Sequence, residues 1–227
     1  KEHSCDSNVR VLQTSFVLSK ADYLTGHIPC AVYTNYGKDG WRETLDGVRG
    51  MLPSADNIAK VIGGLGIDND THVVLYASGE SSSDLGTSTR IYWTFVTMSH
   101  DNVSVLNGGL KAYAADENNP VEKGENTVAA KTFNATFRPE LQATKDQAAA
   151  ASTSGGVLVN NLSDSSYLFR GTIPTSKSIP GTWLQATEGV YRPAGHLKQI
   201  FAHVGVPTTG KQIFFCGTGD LATLGWF

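Results

Sequence analysis

The sequence predicts an α/β protein made of two similar halves, each a mainly parallel sheet flanked by helices. Three features predict this. Helix-spaced apolar stretches alternate with short β-rich runs. One helix-to-strand unit occurs twice. The second copy runs on into a strand, a glycine loop and a helix start. With 227 residues, 40% of them hydrophobic and only 17% charged, the chain can bury two modest cores. The formal net charge of −3 and the lack of a basic patch argue against nucleic acid as a partner. No apolar run approaches the ~20 residues of a membrane span, and residues 1–10 are polar, without a signal-peptide core. A soluble chain, periplasmic or cytoplasmic, is expected.

The elements follow in order. Residues 9–12 (VRVL) read as a buried strand, followed by an Ile28-Pro29 turn. The stretch 53–76 opens on Pro53, carries Ile58, Val61, Ile62 and Leu65 at helical spacing, exits at Gly66 and ends in the strand 73–76. A loop at 77–86, a helix near 87–98, a strand at 103–106 and a helix begun at 108 complete the first half. The stretch 193–215 repeats the same grammar, with Leu197, Ile200, Phe201 and Val204, then Gly205 and the strand 213–215. Gly66 and Gly205, like Tyr76 and Phe215, lie a constant 139 positions apart (205 − 66 and 215 − 76). Residues 157–159 and Ile179-Pro180 repeat the opening strand and turn, after a helix at 140–152. The boundaries expected are 1–116 for the first domain, 117–138 for a linker and 139–227 for the second. The second copy stops inside the helix after its loop, so the chain is expected to be incomplete at both ends.

The same offset sets Ala77 opposite Cys216, so one copy carries a sulfur where the other has a methyl. Cys216 falls at the carboxyl end of a strand, where open α/β sheets bind ligands. Gly217 and Gly219 permit a loop whose amides turn inward, and the following helix start adds positive potential. Both favour a thiolate, the reactive form of cysteine. Cys5 and Cys30 are expected to be small buried apolar residues, one bridge being the most that three cysteines allow. The six histidines form no cluster with Cys or carboxylates at ligand spacing, so no metal is expected. Trp93 and Phe95 read as core, and His27 as a hydrogen-bonding structural residue.

His27-Ile28-Pro29-Cys30-Ala31-Val32 after Gly26 resembles the G-H-I-P-G-A-V signature of rhodaneses. Asn102-Val103-Ser104-Val105-Leu106-Asn107-Gly108-Gly109 resembles their N-V-x-x-L-x-G-G segment, and Cys216-Gly217-Thr218-Gly219 is similar to the loop start of the mercaptopyruvate branch. The resemblance spans nearly the whole chain, in the order of a two-domain sulfurtransferase with an inactive first domain. It implies sulfane-sulfur transfer by a Cys216 persulfide, held by the loop 217–221, from a small-molecule donor (thiosulfate or 3-mercaptopyruvate) to a thiol or cyanide. It implies no metal or organic cofactor. Phe169-Arg170-Gly171-Thr172 is similar to a segment whose arginine grips the donor carboxylate. Arg42 and Arg49 are further candidates for the cleft.

Departures from the pattern are specific. Asn160-Asn161-Leu162 stands where Asp-x-Arg is usual, Gln13 replaces the acid in the first half, and Ser178 replaces the signature histidine in the second. Loop positions five and six are Asp220 and Leu221. A carboxylate turned inward about 6 Å from the sulfur would oppose a thiolate by about 2–3 kcal/mol at an effective dielectric near 20, whereas an outward, solvated one would do little. Weakened or altered donor specificity is therefore expected. A cysteine phosphatase loop, C-x5-R, is excluded because Ala222 occupies the arginine's place. The remaining alternative is a persulfide carrier or partner-binding module without turnover.

Overall fold

The computed structural model describes residues 3–227, apart from the side chain of Arg170. The first half runs β1 (Val9–Gln13), α1 (Lys20–Thr25), β2 (Val32–Tyr33), β3 (Glu43–Leu45), β4 (Val48–Met51), α2 (Ala55–Gly64), β5 (His72–Tyr76), α3 (Ser82–Thr97), β6 (Val103–Val105) and α4 (Gly109–Ala114). The second runs α5 (Lys145–Ser154), β7 (Val157–Asn160), α6 (Asp164–Arg170), β8 (Lys177–Ser178), β9 (Gln185–Thr187), β10 (Val190–Tyr191), α7 (Ala194–Val204), β11 (Gln212–Phe215) and α8 (Asp220–Trp226). The main sheets have strand orders β2-β1-β5-β6 and β8-β7-β11, with parallel pairing throughout. The duplication read from the sequence is thus a duplication of sheet order, and β6 has no counterpart among the described strands of the second half.

Both faces of the first sheet are covered, as the continuous apolar strands require. Alternation sends Leu12, Val73 and Leu75 to one face, against Ile58 and Ile62 of α2 and Ile91 and Phe95 of α3. Val11, Val74 and Tyr76 go to the other, with Ile28, Ala31 and Leu110. The Ser54 side chain caps α2 through the Asn57 amide. Helix α3 starts five residues before the position expected from apolar spacing, because Ser81 caps it at the Asp84 amide and its first turns bury small and polar residues. Leu85 on that early stretch packs into the second core, with Val159, Ile179, Leu184 and Leu224.

The stretch 117–138 runs along the first half. Glu122 bridges His27, the Lys131 amide donates to the Gly63 carbonyl, Phe133 enters the first core, and Arg138 forms a two-pronged pair with Asp101. Asp68, which bonds Thr71 in the turn before β5, also pairs with Lys131.

One expectation is corrected. Cys5 and Cys30 are joined in a disulfide, with Cα atoms 5.2 Å apart. Pairing of β2 with β1 returns the turn at Cys30 to the start of β1, a proximity that linear spacing does not display. Cys30 occupies a left-handed position (φ 60°), where the family signature has glycine, and its amide donates to the Glu122 carboxylate. The bridge closes a separation of 25 residues. Loop-closure entropy for that length is about 3 kcal/mol, so the double variant Cys5→Ser/Cys30→Ser should lose about that much unfolding free energy in a denaturant titration. An unchanged midpoint would refute the estimate.

The bonds from Thr71 and Lys131 lower the Asp68 carboxyl to about 2. A depressed carboxyl adds stability above its unfolded pKa of about 4 and loses it as pH falls through the folded value. Acid unfolding of Asp68→Asn should therefore lose part of its pH dependence between about pH 4 and pH 2.

Candidate active site

Strand β11 delivers the sulfur. Its last residue pairs with Asn160, and the Phe215 carbonyl accepts from the Asn161 amide, so the chain leaves the sheet at Cys216 in fixed register. The thiol is unpaired and half-buried, and its Sγ accepts one backbone hydrogen bond, from the Gly219 amide at 3.1 Å. Gly219 takes φ 94° at the N-cap of α8, and a Cβ there would lie 2.8 Å from Nη1 of Arg90. The left-handed φ calls for glycine here.

The thiol opens on a cleft of about 590 Å³ between the halves. Arg49, Gly50, Arg90 and Trp93 line it from the first half, and Lys145 and the loop residues Cys216, Gly217, Thr218 and Gly219 from the second. Of the residues expected from the sequence, the cleft thus brings together these four loop positions and Arg49. Arg42 and Leu221 lie elsewhere. Arg42 is not on the cleft wall, because its guanidinium sits over the Tyr36 ring, 4.9 Å from the centroid. Leu221 packs into the second core. The Arg170 side chain lies outside the described residues.

Both carboxylate oxygens of Asp220 are engaged. Its Oδ1 accepts from the hydroxyl of Tyr36 at 2.8 Å, and its Oδ2 from that of Thr218 at 2.9 Å. Tyr36 is buried in the first half, and burial raises its phenol well above the ordinary value, so the hydroxyl remains a donor. The bond ties the loop to the opposite domain. Nearby, Gly86 of α3 faces the Asp220 carbonyl so closely that a Cβ would meet it at 3.0 Å, and Thr89 bonds Thr223 at 2.9 Å.

The residues at the departures from the pattern are structural. Asn160 donates to Thr172 and accepts from the Leu162 amide, Asn161 donates to the Ile179 carbonyl, and Gln13 accepts from Tyr76. His27, fully buried, stacks on Tyr23 and bonds its carbonyl. In the first half, the loop after Ala77 closes on the Asp84 carboxylate, which accepts from the amides of Phe16, Val17 and Ser78 and from the hydroxyls of Ser15 and Ser78.

The fold and site together define a duplicated α/β protein with an unpaired cysteine at a strand end on the seam of its halves. Residues 8–116 match the family described as the rhodanese-like domain. The 3-mercaptopyruvate sulfurtransferase of Mus musculus is 26% identical, over 94% of this chain and 76% of that protein. The thiosulfate sulfurtransferase of Bos taurus is 34% identical, over 57% of this chain and 42% of that protein. The crystal structure of SseA from Escherichia coli, titled as a 3-mercaptopyruvate sulfotransferase, superposes with a TM-score of 0.86 at 26% identity, covering 99% of this chain and 88% of that one. Residues 8–116 thus carry a rhodanese-like domain, and over nearly its whole length the chain is similar to these sulfurtransferases.

Arg90, Trp93 as a cleft residue, and Tyr36 were not read from the sequence as site residues. A charged residue in the run Arg90-Ile91-Tyr92-Trp93, whose neighbours are core, was the available signal for Arg90. Tyr36 carried none, since its partner is 184 positions away. A hydrogen bond to a charged acceptor is worth about 2 kcal/mol. Tyr36→Phe should therefore lower unfolding free energy by about that amount, and Asp220→Ala should add little to it in the double variant. Additive losses would show that the pair does not act as one unit.

Proposed function

We propose that the chain is a sulfurtransferase working through Cys216. The observation that carries this reading is the Gly219 amide on Cys216 Sγ, inside a cleft whose walls include Arg49, Arg90 and Lys145. The thiolate attacks the outer sulfur of a small anionic donor. With thiosulfate, the new S–S bond forms as the donor's S–S bond breaks, and sulfite leaves with the electron pair. With 3-mercaptopyruvate the C–S bond breaks, and the departing carbon takes a proton to become pyruvate. The persulfide's outer sulfur then passes to cyanide or a thiolate, which regenerates the Cys216 thiolate. The Gly219 amide stabilises the sulfur anion in both steps.

Arg49, exposed on β4, is assigned to steering the anionic donor. The domain assignment goes with the reading. Residues 1–116 form a domain without a nucleophile, 117–138 connect, and 139–227 carry Cys216. Among the described residues, no helix is long and apolar enough to cross a membrane. The Cys5–Cys30 disulfide favours an oxidising compartment over the cytoplasm.

A persulfide carrier without turnover is favoured as a second reading by one observation: Asn160 and Leu162 occupy the usual acid and arginine positions, and Asn160 is a buried structural amide. Incubation with thiosulfate or 3-mercaptopyruvate, followed by intact mass, should add one sulfur to Cys216. Cyanide should remove it as thiocyanate with repeated turnover, and Cys216→Ser should abolish both. Loading without turnover makes the chain a carrier. No loading from either donor overturns the proposal.

A further inference from the structure

We propose that Arg90, a residue of the first half, binds the oxyanion end of the sulfur donor and so sets its orientation toward Cys216. The inference deepens the sulfurtransferase reading and rests on it. Arg90 lies on α3 and is 93% buried, being 7% exposed. Its guanidinium sits over the Trp93 ring, 4.3 Å from the centroid, and Nη2 donates to the Gly50 carbonyl at 3.1 Å. Nη1 lies against the backbone of Gly219, the residue whose amide holds the sulfur. Both Arg90 and Cys216 line the same cleft.

Among the described residues no carboxylate forms an ion pair with Arg90, and its Nε is buried without a hydrogen-bond partner. The Asp220 carboxylate already accepts from Tyr36 and Thr218. One neutral carbonyl and one ring face are little for a buried cation, which is costly unless paired. A guanidinium presents five donors in a rigid plane matched to carboxylate-like oxygens. A guanidinium in the wall of the cleft that Cys216 lines therefore suits an anion that enters with the substrate: the sulfonate of thiosulfate or the carboxylate of a mercapto acid. Arg49 differs in being exposed on a hairpin, whereas Arg90 is held by Trp93 and Gly50.

Alkylation of Cys216 tests this without requiring sulfur transfer. Iodoacetate and iodoacetamide react at the same carbon and differ in whether a carboxylate accompanies it. In the full chain, Arg90→Gln should lower the iodoacetate-to-iodoacetamide rate ratio by about tenfold, the value of one charge-assisted hydrogen bond, with the iodoacetamide rate changed less than about twofold. Arg90→Lys should restore part of the ratio. In sulfur loading, Arg90→Gln should raise KM for thiosulfate while leaving the later transfer to cyanide intact. A purely structural role would alter melting but not reagent selectivity. An unchanged ratio in a folded Arg90→Gln overturns the proposal. If that variant does not fold, the native chain decides, because a ratio no higher than that of a small free thiol also overturns it. An Arg90-dependent ratio in a chain that takes no sulfur from any donor supports the anion site and rejects the sulfurtransferase reading.

Discussion

The structure depends on how closely helix α3 and the β3–β4 hairpin approach the loop 216–220. Three glycines set that distance. Side chains at Gly50, Gly86 and Gly219 would meet, respectively, the Thr218 carbonyl, the Asp220 carbonyl and the Arg90 guanidinium, at 2.7, 3.0 and 2.8 Å. With backbone almost against backbone, short polar groups reach across the seam. Thr89 bonds Thr223, Tyr36 bonds Asp220, and Leu85 crosses into the second core. The Cys216 loop is therefore braced by the first half, and Leu85 of that half completes the packing of the second.

The duplication also gives two solutions to one physical problem, a strand end whose loop turns amides toward a point. In the first half a carboxylate of the chain itself, Asp84, occupies that point and accepts from three amides and two hydroxyls. The two bonds from Ser78 hold the loop after Ala77, and the other three hold residues 15–17, after β1. In the second half the point is taken by a half-buried sulfur with a single amide donor and an open cleft before it. One copy uses the anion preference to hold the fold together, and the other leaves it available for chemistry.

What the sequence displayed and what it concealed divide along one line. Helix spacing, strand runs and the constant offset between copies are local or repeated patterns, so the sheets, the position of Cys216 and the glycine requirement were legible. The Cys5–Cys30 bridge, the Tyr36–Asp220 bond and the place of Arg90 arise where segments far apart in the chain meet, and no spacing rule encodes them. Arg42 and Leu221 make the same point in reverse. Both types suited the site, but one is drawn to an aromatic face and the other to the core. The early start of α3 was hidden because the residues buried there are polar and small, matched to the seam and not to an apolar stripe.

The unusual Asp220 is best understood from the charges around the seam. Considered alone beside the loop, a carboxylate opposes a thiolate and repels an anionic donor. In place, its two oxygens receive the hydroxyls of Tyr36 and Thr218, and these dipoles stabilise its charge where it lies. The carboxylate thereby works as a strut between domains, not as a wall of the cleft. Its negative charge remains near the loop, however, and must be offset for an anion to enter. Arg90 contributes a positive charge close to the same loop. The two substitutable features of the site, a carboxylate that braces and a guanidinium near it, thus bear on one backbone segment. Removing the brace should affect how firmly the halves hold together, while removing the cation should affect which reagents reach the sulfur.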